Sequence, residues 1–149
     1  MPHLPPLLLP SPQGTAPLTE HESIWGGGIW EEDIFYELCD ELGILVWQDF
    51  MFGCGNYPAF PEMLESIRNE CVANVGRLRH HPSIVIYAGN NEDYQVQESF
   101  GLTYDYEDKD PENWLKTDFP ARYIYEKVSA YAAALSMAKG MGATSKIGC

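Results

Sequence analysis

The chain has 149 residues, 45% hydrophobic and 13% aromatic, with a net charge of −13 from 22 acidic and 9 basic residues. That is long enough for one domain with a real core, but too short for a complete (β/α)8 barrel, which takes roughly 250 residues. So acidic a surface repels a phosphate backbone and an anionic bilayer, so nucleic acid and membrane are not expected partners.

Residues 1–23 are rich in Pro, Leu, Ser and Thr without any period, and are expected to be irregular. Their short apolar patch has no basic start and is interrupted at Pro5, Pro6 and Pro10, so it does not read as a secretory signal. No run approaches the roughly 18 apolar residues of a membrane span. Cys39, Cys54, Cys71 and Cys149 form no C-x-x-C pair and no zinc spacing, so thiols in a reducing compartment, the cytoplasm, are expected.

From Ile24 the pattern becomes orderly. Ile24 and Trp25, followed by Gly26, Gly27 and Gly28, read as a strand end entering a loop. Ile34, Phe35, Leu38, Cys39 and Leu42 fall at helical spacing with acids opposite, and Gly43 is placed to cap the helix. Residues 44–47 (ILVW) form a continuous apolar run, as expected of a strand buried on both faces, which ends in Gln48 and Asp49. Pro61 suits the first turn of a second helix, with Leu64, Ile67, Cys71, Val75 and Leu78 on one stripe and Arg77 and Arg79 at its negative end. Residues 84–87 (IVIY) make another buried strand, running into Asn90, Asn91 and Glu92. An acidic loop is expected over 93–118. A helix follows near Pro120 with Tyr123, Ile124 and Val128 on one side, then a weakly patterned end at 129–149.

Strands alternating with helices indicate βαβ units and a parallel α/β sheet, whose chemistry lies at the strands' C-terminal ends. Glu92 follows a buried strand, so its carboxyl is expected to be desolvated and raised toward the range of a general acid; the alternative is a turn-forming or capping glutamate. Asn91 is placed to bond a substrate hydroxyl. Asp49 is placed to bond a sugar hydroxyl or to hold another site residue; the alternative is a helix-capping or loop-bonding aspartate. Trp25 reads as a stacking platform, and Trp47, inside a strand, as core. His80 and His81 are adjacent and do not share a helix face, so a helix cap is expected there rather than a metal pair.

Several segments together resemble the family 2 glycoside hydrolases, and within them the β-mannosidase branch: WGGG at 25–28, DIFYELCDELG at 33–43, WQDF at 47–50, GNYP at 55–58, RHHPSI at 79–84, GNNE at 89–92 and GLTYDY at 101–106. The resemblance covers about residues 24–127. It implies a partial TIM barrel, roughly strands two to four, over 24–128, with 1–23 and 129–149 as foreign ends. It implies Glu92 as general acid/base of a retaining hydrolase acting on β-mannosides, Asn91 as the partner of the sugar 2-hydroxyl, and Trp25 and Asp49 as subsite residues. The WQD run at 47–49 separates the mannosidase branch from its galactosidase and glucuronidase cousins. A retaining mechanism needs a second carboxylate about 5 to 5.5 Å from the first, and no residue here matches the family's nucleophile. The chain is therefore expected to be a truncated barrel: inactive, or a weak sugar-binding or interaction fragment. It would be marginally stable through its unpaired strand edges. No metal or cofactor is implied.

Overall fold

A computed structural model of the chain describes residues 20–130. The expectations for residues 1–19 and 131–149 lie outside the described residues.

Three parallel strands form one sheet in the order β1-β2-β3: β1 is His21–Ile24, β2 Leu45–Asp49 and β3 Ile84–Ala88. Register runs from His21 opposite Leu45 to Ile24 opposite Gln48, and from Val46 opposite Ile84 to Asp49 opposite Ala88, with an irregularity between Val46 and Trp47. β1 begins inside the polar stretch expected to be irregular. Ladder bonds to β2 recruit His21, Glu22 and Ser23 although their side chains stay exposed. Pairing with a neighbour overrides a composition that is unfavourable locally.

Helix α1, Asp33–Leu42, joins β1 to β2 and ends on Gly43, whose φ of 72° is the left-handed conformation glycine adopts without strain. The apolar stripe expected on α1 is not what packs. Tyr36 and Cys39 are buried, whereas Ile34, Leu38 and Leu42 are exposed. α1 docks through the polar-tipped Tyr36, whose hydroxyl donates to the buried Gln48 Oε1 at 2.6 Å. Among the described residues nothing covers the Ile34–Leu38–Leu42 line. Helix α2, Pro61–Leu78, starts on its proline and buries Ile67, Cys71, Val75 and Leu78 as its periodicity predicts.

Beyond α2, the His81 ring does not cap the helix. It bonds Asp40 Oδ2 through Nδ1 at 2.7 Å, while the Ser83 N–H donates to Asp40 Oδ1 at 2.9 Å, tying α1 to the start of β3. Burial alone would raise the Asp40 carboxyl. The bonds from Ser83 and His81 more than offset it and hold the group below the usual carboxylate range. Arg77, expected to serve the helix dipole, pairs instead with Asp33 and the Glu31 carbonyl.

The strands are not buried on both faces. In β2, Val46, Gln48 and Asp49 are buried but Trp47 is exposed, and in β3 Val85 is exposed. Among the described residues Trp47 is a surface residue rather than core.

Residues 93–118 are not one loop. Helix α3, Asp93–Phe100, follows β3 at once and ends on Gly101, and α4, Pro111–Trp114, is capped by the Asp110 side chain. Helix α5, Ala121–Tyr123, runs into a π-helical stretch, Ile124–Ser129, that packs on α2. An aromatic cluster holds the segment down. Tyr94, Tyr104, Phe119 and Tyr125 stack at ring separations of 5.4–6.4 Å. Arg122 is buried beneath Trp114 and Tyr104, 4.1 and 4.5 Å from their rings, and donates to the Asp105 and Asp108 carbonyls and to Glu126. An alternation pattern cannot register helices whose apolar anchors are this sparse and whose cation satisfies loop carbonyls.

Candidate active site at the strand ends

The C-terminal ends of β1, β2 and β3 converge. At the first, the Gly28 N–H donates to the Trp25 carbonyl in a tight turn, and the Gly26 N–H donates to Asp49 Oδ2 at 3.1 Å. Gly26 has to be glycine here, since a Cβ would lie 2.2 Å from the Phe52 carbonyl oxygen. Trp25 is 53% exposed, with its ring lying against Gly27.

At the second end, Asp49 is buried. Its Oδ1 accepts from Trp47 Nε1 at 2.8 Å and its Oδ2 from Gly26. Desolvation raises this carboxyl above its ordinary range, with the two donors acting the other way. Asp49 therefore fixes the β1 turn and the Trp47 indole and caps no helix among the described residues. Sequence reasoning did not foresee this link between Trp25's turn and Trp47. Neither residue's spacing carries it.

At the third end the sheet continues past β3 as a single parallel bridge between Gly53 and Asn91, with the Asn91 N–H donating to Phe52 O and the Cys54 N–H to Asn91 O, each at 2.9 Å. Asn91 is partly buried and Glu92 is exposed. The desolvated setting expected for Glu92 is thus not observed, because no wall of the described chain closes over it. The carboxyl buried at this end is its neighbour. Asp93 is fully buried, accepts from the Gly55 N–H at 2.5 Å, and is raised to about 6 by desolvation, which outweighs the bond from Gly55. Glu92 has a left-handed backbone, φ 60°, and its Oε2 lies 3.6 Å from Cys54 Sγ, itself at φ 54°. Local desolvation by its neighbours, then the Glu92 carboxylate, raises the exposed Cys54 thiol. Asp93 and Cys54 were missed in the sequence because a carboxylate directly after Glu92 and a cysteine between two glycines have no periodic signature.

The strand ends therefore bring Trp25, Asp49, Asn91 and Glu92 onto one rim, linked through Gly26 to Asp49 and through residues 50–53 to Asn91. A cavity of about 220 Å³ lined by Thr103, Asp105, Asp108, Trp114, Thr117 and Arg122 shares no residue with that rim. Among the described residues no group of three His, Cys, Asp or Glu side chains is placed to hold a metal, and no helix is long and apolar enough to cross a membrane.

No family profile matches the chain. Individual proteins do. Over 105 residues it is 79% identical to β-mannosidase B of Aspergillus fumigatus, and over 107 residues 78% identical to β-mannosidase B of Thermothelomyces thermophilus. The chain is homologous to the β-mannosidases. These alignments take in 70% and 72% of this chain, and the chain spans 12% of the length of each β-mannosidase B. The fold agrees: a β-D-mannosidase from Dictyoglomus thermophilum superimposes with a TM-score of 0.62 at 40% identity, over 78% of this chain and 13% of that one.

Proposed function

We propose that this segment carries the acid/base half of a retaining β-mannosidase site. In this reading β1, β2 and β3 are strands two to four of the (β/α)8 barrel of a family 2 glycoside hydrolase, spanning about residues 24–128, with 1–23 and 129–149 outside the likeness. Glu92 protonates the glycosidic oxygen as the mannose leaves, then as carboxylate draws a proton from the water that completes hydrolysis. Asn91 bonds the sugar 2-hydroxyl. Trp25 offers its exposed face to the terminal mannose, and Asp49 shapes that subsite by holding the turn that carries Trp25. The nucleophilic carboxylate belongs to the part of the β-mannosidases that this chain does not match. The free thiols Cys39, Cys54 and Cys71 fit a cytoplasmic protein. The observation that carries the reading is the placement of Glu92 and Asn91 at the end of β3, beside the Asp49 rim, in a chain 79% identical to a β-mannosidase B over this stretch.

A second reading is favoured by the state of the carboxylates. Both Asp49 oxygens are engaged by donors of the fold, and Glu92 stands exposed with its carboxylate against the Cys54 thiol. On that ground the 149-residue chain by itself is a non-catalytic fragment that binds sugar weakly or docks to another chain. Release of the chromophore from an aryl β-mannoside, measured beside Glu92→Ala, separates the two. Hydrolysis that Glu92→Ala abolishes means that a second carboxylate is recruited to this chain. No hydrolysis by either, with a full-length β-mannosidase B active in the same assay and inactivated by the equivalent substitution, supports acid/base chemistry that this chain alone does not complete.

A further inference from the structure

Glu92 and Cys54 are the non-glycine residues with left-handed backbones among the described residues, and their side chains meet across the end of the sheet. Left-handed backbone is strained for an ordinary side chain and persists only where the surroundings over-determine it. Here they do so on both sides. On one side is the bridge of Gly53 to Asn91. On the other, the fully buried Asp93 carboxylate takes the Gly55 N–H at 2.5 Å, while the Tyr125 hydroxyl donates to the Gly55 carbonyl at 3.1 Å. Each left-handed residue is thus flanked by one rung before it and one after it. The second rung is a side chain reaching from the first turn of α3 to the backbone between β2 and α2.

We infer that Asp93 is a positioning residue for Glu92: its carboxylate, locked on the Gly55 N–H, holds the β3–α3 turn in the one conformation that aims the Glu92 carboxylate over Cys54 and the strand-end rim. The inference rests on the reading of Glu92 as acid/base. It concerns the aim of that group, not the chemistry. The contact predicts a local consequence. Remove Asp93 and the turn relaxes toward ordinary φ, carrying Glu92 away from Cys54.

Cys54 reports on this directly. It is exposed, whereas Cys39 and Cys71 are buried. A nearby carboxylate suppresses its thiolate and slows its alkylation. The charged groups that face this sulfur are Glu92 and Asp93, with Asp49 and Tyr125 around Asp93. The rate of iodoacetamide alkylation at Cys54, read by peptide mass spectrometry against pH in the full chain, is compared for the wild type, Glu92→Gln, Asp93→Asn, Asp93→Ala and the double variants. Glu92→Gln is expected to speed the reaction at neutral pH by roughly threefold or more. Asp93→Ala, which removes the acceptor of the Gly55 N–H, is expected to speed it similarly and to lose more than half of that effect in the Glu92→Gln background, because it acts through Glu92, whereas Asp93→Asn keeps an Oδ1 acceptor and is expected to change the rate less. A wild-type rate in Asp93→Ala, full additivity of Asp93→Ala with Glu92→Gln (the signature of Asp93's own charge), or an unchanged rate in Glu92→Gln itself each overturns the inference. Alkylation of Cys39 and Cys71 in both Asp93 variants does so as well, since Asp93 is then a folding residue. None of these readouts needs hydrolysis, so failure of the acid/base reading, seen with the aryl β-mannoside, is distinguishable from failure of this one.

Discussion

At the residue scale, buried carboxylates govern the strand-end rim. Asp49 satisfies two donors, the buried Gly26 N–H and the part-buried Trp47 indole. Asp49→Ala leaves the Gly26 N–H buried without a partner, and the expected loss is about 1–3 kcal/mol, checked by urea denaturation. The Trp47 indole, already 43% exposed, should at the same time become a more mobile fluorophore. Asp93 sets a pH dependence of definite sign. Its carboxyl, near 4 in the unfolded chain, is raised to about 6 in the fold, so the folded state holds the proton more tightly. Its contribution is therefore fully present below about pH 4 and lost as pH rises through about 6. The difference in unfolding free energy between the wild type and Asp93→Asn should change across that window by on the order of 2 kcal/mol. A difference that stays flat from pH 4 to 7 rejects the assignment. Asp40 tends the other way, because Ser83 and His81 favour its ionised form. The slope must for that reason be read as a difference between variants.

At the element scale, α1 and α2 illustrate two uses of amphipathicity. Leu78 and Val75 of α2 are buried to within 1% of full occlusion, and Leu78→Ala should cost about 2–5 kcal/mol. Leu38 and Leu42 of α1 look equally apolar in sequence, yet they are 47% and 70% exposed. Leu38→Lys should change stability by less than about 0.5 kcal/mol, and equal losses for Leu38→Lys and Leu78→Ala in urea melts would contradict the packing described. α3 and α4 depend on anchors outside themselves: the Tyr94 hydroxyl on Glu126, and Arg122 between Trp114 and Tyr104. Arg122→Met keeps the stem and removes the donors, so it should loosen residues 105–118 selectively. Hydrogen exchange should rise there before it rises in the sheet.

At the scale of the whole molecule, the described residues form a three-stranded parallel sheet that is incompletely covered. Trp47 and Val85 stand exposed on its strands, and the outer edges of β1 and β3 are unpaired among the described residues. Parallel sheets in α/β proteins are covered on both faces, and open edges invite pairing between chains. The isolated chain is accordingly expected to associate with rising concentration, by light scattering, with iodide quenching of tryptophan falling as it does so. A sharp, concentration-independent melt of a monomer would count against this.

The order of strand and helix, the left-handed cap at Gly43, the proline start of α2 and the three strand ends were legible in the sequence, because each is set by neighbours a few residues apart. So were Trp25, Asp49, Asn91 and Glu92 as rim residues, since the ends of apolar runs mark the ends of strands. Which side of each element is buried was not legible. Tyr36 rather than Leu38 faces the core because Gln48, twelve residues on, offers it an acceptor. Glu92 is exposed while Asp93 is buried because Gly55 reaches across from another loop. The acidic stretch after Glu92 folds because Arg122 and Glu126, far along the chain, gather its carbonyls and hydroxyls. Burial and hydrogen-bond pairing are relations between distant segments, and only the tertiary structure decides them.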